Sequence, residues 1–339
     1  MSQRREFKLG IVGCGRISQS YVQAVNECPN VTLSALLDIR PDVVNAAAEA
    51  SQCRAFTNLD SFISESGIDG AVICAPPNVH RDVACALLNN GIHVLCEKPF
   101  ATTSADAEAM IECAEAQDLV LMMASKFRYA EDIVRAKAMI ASGLLGQVVF
   151  FENKFCSKVD MRGRWNADPV ISGGGVVIDN GTHSIDIARY LIEPIASIRM
   201  LEGKSIMGLE VEDTGVLSFI SKSGVLGTIY LSWSMNVEQA SYINVWGTDG
   251  RLSVGWKESM YQHNGHHEWI PFGVGYNKVD AFRRLLGNFV DTVRGSGSPV
   301  ITLDDALASV QLIEEAYASV KPASATASAG EQTWQSSIA

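Results

Sequence analysis

Three groups of residues have types and spacings that could do chemistry. The first is GIVGCGRIS, residues 10–18. Gly13 and Gly15 follow an apolar run and precede a stretch with helical spacing. There the first glycine permits a tight turn, and the second lets the backbone approach a pyrophosphate. The helix N-terminus supplies N–H donors. Arg16 and Ile17 complete the turn, and Ser18 stands where only a small side chain is needed. Asp38 ends the second apolar run, where a carboxylate can accept both ribose hydroxyls of an adenosine and repel a 2′-phosphate. This reads as a dinucleotide site favouring NAD, with NADP left open because Arg40 could bind that phosphate.

The second group is Lys98, in CEKPF after a strand-like run. A cation there can polarise a substrate oxygen or help move its proton. The third is Asp179 and His183, with Asp186 three residues further on. On a helix Asp179 and His183 stand on one face, one turn apart. Imidazole has the one unperturbed pKa suited to proton transfer near neutrality, and a nearby carboxylate can orient it. No third ligand is evident for a metal, and none is expected.

Several other residues are weaker candidates. Arg128 and Tyr129, in SKFRYAEDI (125–133), either contact sugar hydroxyls or anchor the crossing between domains. Trp165, in RGRWNADP (162–169), could stack on a carbohydrate face, with Arg162 or Arg164 meeting a carboxylate or phosphate. Lys154 is a further substrate-binding candidate. His80 sits one turn into a helix and His93 just before a strand. HNGHH (263–267) reads as a polar loop between strands.

The elements that must position these residues fall into two patterns. Up to about residue 125, continuous apolar runs (KLGIVG, VTLSALLD, DGAVICAPP, HVLCEKP, LVLMMAS) alternate with helical stretches. Such runs separated by helices predict an α/β fold with a doubly wound parallel sheet. Ser104 is the expected cap of the last of these helices. Beyond a helix near 129–142, strands follow one another at QVVFFENKF, 195–202, 212–221, 224–234, YINVWG and RLSV. Two helices close the chain near 276–294 and 303–320. Consecutive strands predict an α+β domain with a mostly antiparallel open sheet. The expected division is 1–125, 126–322 and a loose tail at 323–339. Gly13, Asp38, Pro76 and Lys98 all follow strands of the first sheet. They should share the rim beyond its carboxyl ends, where ligands bind in open α/β sheets.

APPNVH (75–80), EKPF (97–100) and GGGVVIDNGTHSID (173–186), with the glycine turn, resemble the Gfo/Idh/MocA oxidoreductases over about residues 6–320. The resemblance implies a Rossmann domain followed by a substrate and oligomerisation domain. It places Ala75, Pro76, Pro77, Asn78, His80, Glu97 and Lys98 at the cofactor and makes Lys98, Asp179 and His183 the acid–base set. It raises the question of a cis peptide before Pro99. It implies NAD(P)-dependent exchange of a secondary alcohol and a ketone on a cyclitol, sugar or sugar derivative, by a homodimer or homotetramer. Two other outcomes stay open. One is a glycosidase or sugar–sugar oxidoreductase whose redox step is transient. The other is a regulatory protein that binds a dinucleotide without turnover.

Bulk properties bound the rest. The chain has 339 residues, 47% hydrophobic and 19% charged, with a net charge of −11. That balance argues against nucleic acid and anionic membrane surfaces as partners. No apolar run reaches the ~18 residues of a membrane span. The eight cysteines form no CxxC pair and are expected to be buried thiols in a cytoplasmic protein.

Overall fold

The computed structural model describes residues 5–320; the tail expected at 323–339 lies outside them. The first part alternates strand and helix: β1 (Phe7–Val12), α1 (Ser18–Asn26), β2 (Val31–Leu37), α2 (Pro41–Ser51), β3 (Arg54–Phe56), α3 (Leu59–Glu65), β4 (Gly70–Ile73), α4 (His80–Leu88), β5 (His93–Glu97), α5 (Ser104–Gln117) and β6 (Leu121–Ala124). Every residue of β4 and β6 is buried, as continuous apolar runs in a two-sided sheet require. The strands are parallel in the order β3-β2-β1-β4-β5-β6. The direction of winding reverses between β1 and β4, which opens a crevice beyond their carboxyl ends. β3 and α3 are short, and the sequence reading did not separate them.

The second part consists of α6 (Glu131–Ala141), β7 (Val148–Cys156), α7 (Pro169–Ser172), α8 (Thr182–Leu191), β8 (Ile195–Glu202), β9 (Thr214–Ser221), β10 (Leu226–Ser232), β11 (Ser241–Gly247), β12 (Gly250–Gly255), β13 (Ser259–His263), β14 (Ile270–Gly273), α9 (Lys278–Val293) and α10 (Leu303–Ala318). Its eight-stranded sheet has the order β14-β13-β12-β11-β7-β10-β9-β8. It is antiparallel except where β10 lies parallel to β7. In β9, Leu217 and Phe219 are buried while Ser218 and Ile220 are exposed. One face is thus covered by helices and the other left open. These two sheets are the α/β and α+β architecture expected.

Three details differ from the sequence reading. The helix expected to be capped by Ser104 is capped one residue earlier, by Thr103, whose hydroxyl accepts from Asp106 N at 3.1 Å. Cys85 and Cys113 are not free thiols but form a disulfide, with Cα atoms 5.6 Å apart. They face each other across neighbouring helices α4 and α5, a pairing that sequence spacing does not reveal. The other six cysteines are free.

The closing helices also do not stay with the second sheet. Phe282, Leu285, Leu286, Phe289 and Val290 of α9 belong to the core of the first domain. There Phe282 meets Tyr21 edge-on at 4.7 Å. Helix α10 divides its buried face. Ala306 and Val310 enter the first core, and Leu312, Ile313 and Ala316 enter the second. Contiguous hydrophobic pattern gives a helix's existence but not the sheet it packs on.

Among the described residues no helix is long and apolar enough to cross a membrane, and no group of three His, Cys, Asp or Glu could hold a metal ion.

Candidate active site

The glycine turn uses its two glycines for different reasons. Gly13 has φ +92°, and a Cβ there would lie 2.8 Å from the Ala75 nitrogen. Its backbone N–H donates to Leu37 O at 2.7 Å, so this glycine is needed by the protein itself. A Cβ on Gly15 would meet nothing within 4 Å, and its φ is not in the left-handed range. No protein atom demands a glycine at 15. The open cradle, at the start of α1, fits a pyrophosphate approaching the backbone. Arg16 is exposed beside it, and Ile17 lines the central cleft.

Asp38 is buried just after β2. Its carboxylate accepts from Cys14 N at 2.8 Å and from the Arg40 guanidinium at 2.9 Å through both Nε and Nη2. Burial would raise its pKa, but the Arg40 bonds and the N–H donors win, and it sits below the usual carboxylate range. Arg40 is thus paired with Asp38, while its own side chain stays 57% exposed.

Beyond β4 and β5 the rim closes around a cleft of ≈ 1320 Å³. Ala75, Pro77, Glu97 and Lys98 line it, whereas Pro76 and the exposed Asn78 do not. Glu97 accepts from Tyr21 OH at 2.7 Å and Lys98 N at 3.1 Å. Its burial pushes the carboxyl above the ordinary range despite those bonds. The Lys98–Pro99 peptide is cis. His80 is buried and does not line the cleft. Its ring is buried, with Nε2 2.9 Å from Ala75 O and Nδ1 3.0 Å from Pro99 O. Burial favours the neutral ring, which has one N–H to donate, so it ties to the loop after β4 or to the loop after β5 through one nitrogen at a time.

Opposite this rim stands the segment after Gly173, Gly174 and Gly175. A Cβ on Gly175 would overlap the Glu212 carbonyl oxygen, and one on Gly174 the Tyr317 hydroxyl. The Glu212 carboxylate accepts from Gly175 N at 3.0 Å, Val177 N at 2.9 Å and Tyr317 OH at 2.8 Å. Tyr317 OH in turn accepts from Ile178 N at 3.2 Å. This clamp, unforeseen in the sequence, holds a π-helical turn at Val177–Gly181 that runs into α8.

The wider turn changes the expected pairing. Asp179 and His183 both line the cleft. The Asp179 carboxylate, however, goes to Lys98, with Nζ donating to Oδ1 at 2.8 Å and to the Asp179 carbonyl at 3.0 Å. His183 packs edge-on against Phe127 at 5.0 Å, and its Nδ1 has no hydrogen-bond partner among the described residues. Burial, then the ammoniums of Lys98 and Lys126, hold its pKa well below 6.5. Asp179 does not offset this, so it orients Lys98 rather than the imidazole. Asp186, the third acid of the motif, is fully buried and faces away, toward Arg128.

Of the substrate-wall candidates, only Trp165 lines the cleft, 40% exposed. Arg128 is an internal tie, donating to Asp186 at 2.9 Å and Asp305 at 2.8 Å. Tyr129 OH donates to Asn288 at 2.8 Å. Both join the crossing segment to neighbouring elements, and neither lines the cleft. Lys154 pairs with Glu152 at 2.9 Å on the open face of the second sheet, because alternation along β7 sends Phe155, not Lys154, toward the cleft. Arg162 is paired with Asp160 at 2.9 Å and exposed. Arg164 contacts Met161 Sδ at 3.7 Å. The sequence reading missed Lys126, the first residue of a 3-10 turn after β6, whose side chain lines the cleft. Its place directly after a strand end was the available signal. It also missed Trp256, which lines the cleft and stacks on Tyr242 at 4.2 Å.

Comparisons with known proteins match both domains. Residues 7–125 match the oxidoreductase family with an NAD-binding Rossmann fold, and residues 133–253 match the GFO/IDH/MocA C-terminal domain. An uncharacterized oxidoreductase of Schizosaccharomyces pombe is 36% identical over 186 residues, 53% of this chain and 50% of that protein. The chain thus spans about half the length of that relative. The rhizopine catabolism protein MocA of Rhizobium meliloti is 28% identical over 320 residues, 91% of this chain and 94% of that protein. The crystal structure of the aldose–aldose oxidoreductase of Caulobacter crescentus, complexed with glycerol, shares the fold. Its TM-score is 0.84 at 23% identity, covering 93% of this chain and 97% of that one. With both domains matched in order along one chain, the protein belongs to the Gfo/Idh/MocA family of oxidoreductases.

Proposed function

We propose that the protein is an NAD-dependent dehydrogenase that interconverts a secondary alcohol and a ketone on a sugar, cyclitol or related polyol. The observation that carries this reading is the convergence of Lys98, Asp179 and His183 in one cleft beside the glycine turn. Bound NAD supplies the hydride acceptor. Asp38, already the acceptor of a backbone N–H, supports NAD over NADP through its charge. Lys98 has three N–H donors, and two are spent on Asp179. The third remains to point at a substrate oxygen and stabilise negative charge there. His183 is neutral at pH 7 because burial and two ammoniums oppose its protonation. A neutral imidazole in reach of a substrate hydroxyl can accept its proton. Trp165 and Trp256 give the outer wall apolar faces suited to sugar rings. The names of the sugar- and rhizopine-related relatives support the same class.

The open face of the second sheet supports self-association. Ile220, Leu226, Phe150 and Trp246 form a cross-strand row over β9, β10, β7 and β11. Ile220 and Leu226 are 41% and 53% exposed.

The test is steady-state turnover on inositols, aldoses and nucleotide sugars with NAD⁺ and NADP⁺, for wild type and Lys98→Met. Lys98→Met is expected to bind NADH within roughly tenfold of wild type yet turn over at least ~100-fold more slowly. With the imidazole held neutral, alcohol oxidation should be flat on acidification to about pH 6.5 and fall only below it. Near-normal turnover of Lys98→Met removes Lys98 from the chemistry. Absence of any turnover with the whole panel would favour a dinucleotide-binding regulator.

A further inference from the structure

Lys126 is partly buried on the cleft wall, with its ammonium against two aromatic rings. Its Nζ lies 5.4 Å from the centroid of Phe127 and 5.6 Å from that of Phe282. Among the described residues no carboxylate forms an ion pair with it. The two acids nearest in charge effect are engaged elsewhere: Glu97 by Tyr21 and the Lys98 N–H, and Asp179 by the Lys98 ammonium. The charged groups facing Lys126 are Glu97 and Lys98 at the end of β5, Asp179 on the π-helical turn and Lys278 at the start of α9. The His183 imidazole on α8 lies within their field. Burial pushes the Lys126 ammonium down, and Lys98 and Lys278 add to this against Glu97 and Asp179, leaving it at about 8. It is still mainly protonated at pH 7.

A desolvated ammonium next to a second one is costly unless a counter-charge arrives. The cofactor does not supply it. Pyrophosphate belongs at the start of α1, beyond β1, and β6 is three strand spacings away, about 14 Å. The anion therefore comes with the substrate. Among the described residues no arginine fork lines the cleft, whose cations are Lys98, Lys126 and Lys257. With Lys98 held by Asp179 and no planar fork to grip a phosphate bidentately, the Lys126 ammonium acts as a point charge suited to a carboxylate.

We propose that Lys126 is a specificity-determining residue that receives a carboxylate on the substrate, so that the protein prefers a sugar or cyclitol acid to its neutral counterpart. This rests on the cleft being the substrate site of the dehydrogenase proposed above.

The experiment titrates matched pairs, D-glucose with D-glucuronate and D-galactose with D-galacturonate, into the protein–NADH complex by calorimetry. Wild type, Lys126→Met and Lys126→Arg are compared. At least one acid should bind about tenfold or more tighter than its neutral partner to wild type. Lys126→Met should lower that acid-to-neutral ratio by about tenfold or more, and Lys126→Arg should restore part of it. In wild type the ratio should fall as pH rises through about 8, because the ammonium is lost while the carboxylate stays ionised. If Lys126→Met fails to bind NADH, the wild-type pH profile and Lys126→Arg carry the test. A wild-type ratio near one for both pairs, or a ratio indifferent to both substitutions and to pH, overturns the proposal. Hydride transfer is scored separately. Turnover of neutral sugars without acid preference overturns this inference and leaves the dehydrogenase reading standing. Lys126-dependent acid binding without turnover of any substrate does the reverse.

Discussion

Gly15→Ala separates what the fold needs from what a ligand needs. A Cβ at 15 has no neighbour within 4 Å, and the residue is outside the left-handed φ range. Alanine there should leave the folded state unstrained and reduce the freedom of the unfolded chain, a gain of about 0.4–1 kcal/mol. For a protein of this size the melting temperature should stay level or rise by no more than about 3 °C. Gly13→Ala is the contrast. It forces φ +92° on a side chain whose Cβ would sit 2.8 Å from the backbone of Cys74 and Ala75. Left-handed strain of about 1–2 kcal/mol and overpacking of about 1–3 kcal/mol together predict a loss of about 2–5 kcal/mol. If pyrophosphate approaches the backbone at 15, the added methyl occupies its path. NADH affinity of Gly15→Ala should then drop at least about tenfold, or about 1.4 kcal/mol. Thermal melting and NADH fluorescence titration read the two quantities on the same samples. Wild-type NADH affinity in Gly15→Ala, or a large loss of its stability, would refute the assignment of that glycine to the cofactor.

Cofactor choice and the internal ion pairs give two more expectations. Asp38→Ser removes the carboxylate that opposes a 2′-phosphate and releases Arg40 from its bidentate partner. Wild type should show the higher kcat/KM with NAD⁺, and the variant should shift toward NADP⁺; a wild-type preference for NADP⁺ would reassign Arg40 as a phosphate ligand. Arg128→Met strips the guanidinium from Asp186, whose side chain is 0% exposed. Leaving a buried carboxylate without its counter-charge should cost about 3–5 kcal/mol in urea unfolding, and a loss under about 1 kcal/mol would show that the Ser125 hydroxyl, which also donates to Asp186, suffices.

The parts legible in the sequence are those set by local pattern. Buried parallel strands announce themselves as apolar runs, and the glycine turn, Asp38 and EKP each follow such a run, so their shared rim could be inferred. Lys98, Asp179 and His183 were brought together by the motifs that carry them. What stayed hidden depends on side-chain direction and on distant chain. Asp179 was expected beside His183 because an α-helix would stack residues four apart. A π-helical turn widened the spacing and gave its carboxylate to Lys98. Arg128 stood open between a sugar ligand and an anchor of the domain crossing, because the acids that hold it, Asp186 and Asp305, lie far along the chain. Glu212 and Tyr317 sit in unremarkable surroundings, and only folding brings them to the glycine triplet. Cys85 and Cys113 pair across two helices for the same reason.

The return of α9 to the first domain has a consequence for how the molecule comes into being. On the ribosome, the first 125 residues emerge early and can form their parallel sheet. The pocket on α1 and β1 meant for Phe282, Leu285, Leu286 and Phe289 then stays greasy and open until α9 has been made. The nucleotide-binding half is completed by α9, which follows the intervening sheet in the chain. The two halves are thus bound as a closed ring of chain rather than as beads on a string. Because α10 also sinks one end into each core, the walls of the cleft are braced from behind. Opening it by a simple swing of one domain would require pulling that brace out of an apolar interior.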